Sequence, residues 1–457
     1  MQDARYRAEA GEFNIALTGD VMLNRRVSLH DEPAFLKLRS ILQSADAAFA
    51  NLETTVRHAH QGSPTTSYAT YTTMPPEMLS ELKWLGVNLL SSANNHSYDF
   101  GEGGVLATIE HLAKAELVHA GLGRNLSQAR APGYLDTRNG RVGLVAATTT
   151  FYPWSRAGEE RPDMQGRPGV NALGFKIEYH VPARTLEVLR EAAQALGFTK
   201  DSERKSKHFY SASEVPGFGA NEVSFLGATF KANAESSFVG KADARDMADN
   251  LKWIREARRQ ADWVVASIHS HDFAHKSVVS ASRQAEMTEP MECVSQFAHG
   301  AIDAGADLVV GHGSHTVLGI EIYRGRPIFY GLGNFFFQNE TMTAFPSDSY
   351  ERFGLNADAT PADFLDARTD SDRRGHPSEP TFWESMLVTC RFENRQLKCI
   401  ALYPVDCGYG RPRAQRGRPL MAGSQLKERV IDRIEALSRA FGTKIVRSGD
   451  CAVIELA

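Results

Sequence analysis

A series of short apolar runs in this chain each ends in a residue able to ligate a metal or move a proton. Asp20 closes I-A-L-T-G-D, Glu53 follows A-A-F-A-N-L, and Asn95 and His96 follow L-L-S-S-A. Further on, His269 and His271 close V-V-A-S-I-H-S-H, and His312 and His315 follow D-L-V-V-G. Runs of this length and composition read as buried strands. Helical periodicity lies between them, as in Phe35, Leu38, Ile41 and Leu42. Strand–helix–strand alternation with short connections predicts an α/β fold around a central sheet. Such a scaffold can bring the scattered ligands together on one sheet edge, where they would form a site for divalent metal.

The same reading organises the rest of the chain. Strands are expected at 13–19, 47–52, 87–93, 142–148, 263–268 and 307–310, with helices at 75–85, 103–115, 184–196, 249–260 and 290–304. Paired strands 317–323 and 327–330 turn at Arg324-Gly325, and 383–405 folds back at Asn394-Arg395. Periodicity weakens from about 155 to 250, which suggests an insertion over 176–248. Residues 338–380 form a long polar stretch, of a length that is either functional or disordered. Leu426, Val430, Ile434, Leu437 and Phe441 share one face of a core-facing helix over 424–441, stopped by Gly442, and 451–456 reads as a last strand. The expected organisation is one catalytic domain over 12–382, with the strands and helix of 383–457 packed on that domain.

Composition narrows the function. The 457 residues carry a net charge of -4, which gives no basic footprint for nucleic acid. Five cysteines without C-x-x-C spacing suggest free structural thiols, although a Cys390–Cys399 bridge across a hairpin is conceivable. The first residues lack an apolar core and no run of 18 apolar residues occurs, so a cytoplasmic chain without a transmembrane segment is expected. Oligomeric state is not legible.

The candidate chemistry follows from residue type. A two-metal hydrolase needs carboxylate and imidazole ligands with one group bridging ions about 3.5–4 Å apart. Gly19 lets the backbone approach closely at Asp20. Glu53 can bridge in bidentate fashion, although a salt-bridged strand cap is the structural alternative. Asn95 can offer its amide oxygen. His96 fits an unligated proton donor and Asp99 its orienting partner, against the alternative of a hydrogen-bonded turn. His269 is the better ligand of its pair, which leaves His271 facing substrate. Asn24 and Arg25, one turn past Asp20, are candidates to hold an anionic substrate, as are Arg167 and Asn171 in G-R-P-G-V-N. Asn334 in G-L-G-N-F can bond a ligand or a metal-binding loop.

L-T-G-D-V-M-L-N at 17–24, N-L-E at 51–53, S-A-N-N-H-S-Y-D-F-G-E-G-G at 92–104 and G-R-P-G-V-N at 166–171 together resemble the CapA, or poly-gamma-glutamate capsule biosynthesis, family. So do G-A-D-L-V-V-G-H-G-S-H at 305–315 and Y-R-G-R-P-I-F-Y-G-L-G-N-F-F-F at 323–337. That family is related to the calcineurin-like metallophosphoesterases. The resemblance implies a layered α/β sandwich with insertions and a small C-terminal α+β portion. It also implies one or two divalent ions (Mn, Zn or Fe) and a small or polymeric anionic substrate. One ion would be held by Asp20, Glu53 and His315, the other by Glu53, Asn95, His269 and His312. The implied activities are hydrolysis of an amide, a phosphoesterase reaction, or a non-catalytic role in polymer biosynthesis. The chain departs from the wider pattern twice: Met22 stands where Asp-x-His supplies an imidazole, and Gly-His-x-His is stretched to Gly-His-Gly-Ser-His.

Overall fold

The strand Phe13–Met22 is apolar along nearly its whole length and buried at every position except Asn14. A strand buried on both faces must have neighbours on both edges, and this one changes neighbour partway along. Phe13–Leu17 pairs antiparallel with Glu384–Glu393, whereas Asp20–Met22 pairs parallel with Asn334–Phe337. On its other edge runs Ala47–Leu52, parallel, with a register break between Leu17 and Asp20. The handover sits at Gly19. A Cβ there would lie 1.7 Å from the carbonyl oxygen of Gly333, which itself accepts the Asp20 amide at 3.0 Å.

The structure is a computed structural model that describes residues 7–65, 70–208, 219–280 and 287–456. Its contacts divide the chain into two units. The larger, residues 1–173, 247–271 and 297–457, contains two mixed sheets. Ten strands form the first, with Phe13–Met22 near its middle and Ala47–Leu52, Leu89–Ser91 and Val118–Ala120 following in parallel. The second has six, with Gly140–Thr148, Trp263–His269, Leu308–His312 and Arg326–Phe329 parallel at its centre. One buried cluster joins the facing sides of both: Phe13, Ile15, Leu17 and Phe49 against Leu144, Trp263, Val265 and Val310. Phe13 stacks on Trp263 with ring centroids 4.9 Å apart. The parallel neighbours are joined through the helices Pro33–Ser44, Leu79–Leu85, Gly101–Lys114, Ala244–Gln260 and Glu292–Asp303. This is a layered α/β sandwich.

The C-terminal strands are more deeply built in than the sequence suggests. Glu384–Glu393 is the antiparallel partner of Phe13–Met22, and Gln396–Asp406 continues the same sheet. Helix Ser424–Ser438 adds Val430, Ile431 and Ile434 to the common core. Arg324-Gly325 and Asn394-Arg395 both turn with left-handed residues, as short hairpin loops require. All five cysteines are free.

The smaller unit combines 174–246 with 272–296. Its four-stranded sheet runs Glu222–Phe225, Ala228–Ala232, Phe175–Val181 and Ser237–Ala242, over a small core of Leu186, Ala193 and Val223. The sequence pattern shows neither these strands nor the second segment. The strands are mostly half-buried and carry interspersed charges, so no apolar run marks them. The polar stretch 338–380 is also more ordered than expected, with helices Ser347–Glu351 and Pro361–Thr369. A capping box of Thr360 and Asp363 opens the second helix. Among the described residues no helix is long and apolar enough to cross a membrane.

The clash at Gly19 is with backbone and cannot be relieved by a rotamer change. Gly19→Ala is expected to lower unfolding stability by about 3 kcal/mol or more, at the upper end of overpacking costs, as read by chemical denaturation.

Candidate metal centre

The ligand candidates converge, but on the seam between two sheets rather than on the edge of one. Asp20, Glu53 and Asn95 come from the carboxyl ends of strands in the ten-stranded sheet. His269 and His312 are register partners at the carboxyl ends of strands in the six-stranded sheet. Asn51, which the sequence reading did not single out, ties the two together. Its amide nitrogen lies 2.8 Å from Asp20 Oδ1 and 3.2 Å from His269 Nδ1. Asn94 shapes the neighbouring turn, donating to the carbonyl of Leu52 at 2.8 Å and accepting from the His96 amide at 3.1 Å.

Two groups of donor atoms lie within 4.8 Å of one another: Asp20, Glu53 and His315, and Glu53, His269 and His271. Glu53 belongs to both. It is fully buried, and neither carboxylate oxygen has a hydrogen-bond partner among the described residues. His315 Nε2 lies 3.7 Å, His269 Nε2 3.8 Å and His271 Nε2 4.0 Å from Glu53 Oε1. The Nε2 atoms of His269 and His271 face each other at 3.1 Å, and His269 Nε2 is 2.9 Å from Asn95 Oδ1. A buried carboxylate without a partner is costly. Carboxylate oxygens without a hydrogen bond, facing a cluster of imidazole nitrogens, suit a divalent cation, and the mixture of oxygen and imidazole suits Mn, Fe or Zn.

His271 occupies the second group, where the resemblance implied His312. Gly313 makes room for it. That residue has φ +93°, and a Cβ there would lie 2.8 Å from His271 Cδ2 and 3.0 Å from His269 Nε2. His312 instead stacks on Phe49, with Nδ1 3.8 Å from Asp20 Oδ1, and neither of its ring nitrogens has a hydrogen-bond partner among the described residues. The side chain of His271 is 29% exposed while that of His269 is fully buried, so the centre opens to solvent at His271.

His96 Nδ1 lies 2.8 Å from Asp99 Oδ2, which also accepts the Thr72 amide at 2.7 Å. Asn334 Oδ1 is 2.9 Å from His315 Nδ1, so Asn334 orients a ligand candidate. The other anion-binding candidates are engaged elsewhere. Asn24 bonds the Gln338 carbonyl and Thr341, and Arg25 donates to the carbonyls of Ala414 and Arg416. Asn171 is buried and donates to the Ala146 carbonyl and to Asn250, while exposed Arg167 donates to the Arg156 carbonyl. His376 was absent from the sequence reading. Its ring packs on His315 at 5.5 Å and on Phe337 at 5.1 Å.

Electrostatics follow burial. Desolvation pushes the Glu53 carboxyl up to about 8 despite the pull of His315. For His315, burial is outweighed by Glu53, Asp20 and Asn334, which hold it at about 9. Burial also opposes ionisation of Asp20, yet its hydrogen bond to His315 and the surrounding imidazoles keep it well below the usual carboxylate range. His271 falls to about 3 and His312 to about 4, chiefly through burial.

Facing sheets with ligand candidates at their convergent strand ends define a layered α/β protein of the metallophosphoesterase-like type. Residues 14–339 match the family described as bacterial capsule synthesis protein PGA_cap, and the chain belongs to that family. It is 32% identical to uncharacterized protein y4sH of Sinorhizobium fredii, over 97% of this chain and 93% of that one. A probable polyglutamine synthesis accessory protein of Mycobacterium tuberculosis is 26% identical over 89% of this chain and 76% of its own length. The PGA biosynthesis protein CapA of Bacillus subtilis is 25% identical over 71% and 63% respectively.

Two outcomes are expected from this geometry. Removal of His271 should weaken divalent-metal binding at least about tenfold, and more than removal of His312, as measured by elemental analysis after dialysis against metal buffers. Metal must also displace protons from Glu53 and His315, whose folded pKa values lie near 8 and 9. Apparent affinity should therefore rise with pH between 6 and 9, by up to about tenfold per unit for each proton displaced.

Proposed function

We propose that this chain is a metal-dependent hydrolase that cleaves an amide bond, of gamma-glutamyl type, in the biosynthesis of a capsule-like acidic polymer. The observation that carries the reading is the buried His96–Asp99 pair beside the carboxylate shared by both donor groups. Relatives named for polyglutamine and PGA biosynthesis supply the substrate class. Asp20, Glu53 and His315 would hold one ion, and Glu53, Asn95, His269 and His271 the other. When bound, the ions supply Lewis acidity and lower the pKa of water.

The chain's own residues provide proton transfer and orientation. Asp99 fixes the His96 ring through Nδ1, which leaves Nε2 as the outward proton carrier. Burial disfavours the imidazolium, but the charge and hydrogen bond of Asp99, with Glu53 behind them, raise the His96 pKa above its usual value. Asp99 and Glu53 therefore favour the protonated ring of His96. In the hydrolysis one water adds through its oxygen to the acyl carbon. As the C–N bond breaks, the proton on His96 Nε2 passes to the departing nitrogen, so that the products are a carboxylate and an amine and the ring regains its proton from that water. Asn334 and Asn51 keep His315, Asp20 and His269 in place throughout.

The test is a substrate screen on Mn-, Zn- or Fe-reconstituted protein, with gamma-glutamyl amides, phosphodiesters and phosphomonoesters. Gamma-glutamyl hydrolysis is expected, with kcat reduced about 100-fold or more in His96→Ala at unchanged metal content. Turnover of phosphoesters alone would make the chain a phosphoesterase. No turnover with any of the three metals would contradict the hydrolase reading.

A further inference from the structure

The imidazole of His315 is placed against the preference of its own backbone. His315 has φ +56°, a left-handed conformation that residues other than glycine seldom adopt and that persists only where the surroundings impose it. Its Nδ1 lies 2.9 Å from Asn334 Oδ1, and its Nε2 lies 3.7 Å from Glu53 Oε1. A hydrogen bond at one nitrogen leaves the ring able to tilt about it, so the direction of Nε2 also depends on what packs against the ring. Three rings do so. His271 meets it edge-on with centroids 5.3 Å apart, Phe337 stacks on it at 5.7 Å, and His376 meets it edge-on at 5.5 Å. His376 is the one of the three that lies beyond residues 14–339, the part of the chain that the family match covers.

The chain reaches His376 by a strained path. After helix Pro361–Thr369, Asp370, Ser371 and Asp372 are all left-handed, with φ of 49°, 52° and 67°, and Gly375 follows at 67°. Such a run needs restraint from outside. Buried Arg416 grips Asp372 through both terminal nitrogens at 2.8 and 2.9 Å, and Glu340 through Nε and Nη2 at 2.5 and 2.8 Å. The Arg374 amide donates to the Thr369 carbonyl at 2.8 Å, and Arg413 bonds Asp366 at 2.8 Å. Beyond the reversal the Trp383 indole donates to the His376 carbonyl at 2.8 Å. The His376 ring itself sits among Phe382 at 4.5 Å, Phe337 at 5.1 Å and His315. The backbone on both sides of His376 is therefore tied down, and its side chain meets these neighbours through ring contacts, which call for a flat side chain rather than for a nitrogen.

We propose that His376 is a positioning residue of the metal centre: it braces the ring of His315 and, together with Asn334, sets the direction in which His315 offers Nε2 beside Glu53. The inference rests on the reading that Asp20, Glu53 and His315 hold one divalent ion, and it does not depend on which bond is cleaved. It gives the 370–375 reversal a purpose, because the ion pairs of Arg416 hold the path that delivers His376. It also makes the two metal positions unequal. The ion of His315 relies on the 370–383 segment, whereas His269 is set by Asn51 and Asn95.

The test compares the full chain with His376→Ala and His376→Phe, each stripped of metal and titrated with Mn. Calorimetry gives the affinities, and anomalous scattering from crystals equilibrated below saturation gives the occupancy of each position. In His376→Ala the affinity of one Mn is expected to fall about tenfold or more, with occupancy lost beside His315 and kept beside His269 and His271. His376→Phe, which keeps a flat ring, is expected to restore both. A merely structural role would lower the two positions alike, so an equal loss at both overturns the proposal. It is also overturned by no loss in His376→Ala or by a loss that His376→Phe does not repair. If His376→Ala does not fold, Trp383→Phe decides by the same ratio of occupancies, since it removes the donor to the His376 carbonyl and keeps an aromatic ring. Wild-type protein that takes up no Mn beside Glu53 refutes the metal reading and this inference with it. A hydrolase screen without turnover, alongside a selective loss beside His315, refutes the proposed reaction and leaves this inference standing.

Discussion

The structure depends on a carboxylate to which no described residue donates a hydrogen bond. Glu53 is buried without a hydrogen bond to either oxygen, and desolvation alone would keep it neutral. A group like this survives only where a compensating charge is available. The chain surrounds it with three imidazoles within about 4 Å and a second carboxylate, Asp20, itself hydrogen-bonded to Asn51 and Gly313. The two sheets, the Asn51 link between them and the glycine positions beside the centre can all be understood as ways to bring those groups to one point.

Backbone proximity is the means. At Gly19 the first strand passes so close to Gly333 that a single methyl group would collide, and the next residue is Asp20. At Gly313 the missing side chain leaves space for His271. These are two different uses of glycine. One lets main chains touch so that a strand can change neighbours, and the other lets an imidazole from a different strand enter. Within Gly-His-Gly-Ser-His the second glycine is the one that His271, from I-H-S-H, packs against.

The α/β framework was legible because the parallel strands are continuous apolar runs, and buried runs of this kind leave a strong sequence signal. Ligand candidates were legible for the same reason: a polar residue closing such a run stands out. What stayed hidden was relational. No periodicity says that Glu384–Glu393 pairs with Phe13–Met22, some 370 residues earlier. The half-buried sheet of 175–242 alternates charges with modest apolar residues, so nothing marked it. His376 lies in a polar stretch where surface residues are the norm, and its packing on His315 is what distinguishes it. Asn24, Arg25 and Asn171 show the limit of residue type as a guide. Their polarity next to strand ends suggested substrate contacts, but their hydrogen bonds hold loops and interior backbone.

The central claim is that Glu53 is shared by two metal positions at the seam of the sheets. Anomalous-scattering crystallography of Mn-loaded protein tests it directly. The account predicts two peaks about 3.5–4 Å apart, one on each side of the Glu53 carboxylate, with His315 beside one and His269 and His271 beside the other. A single peak away from Glu53, or two peaks with His312 in place of His271, would contradict it.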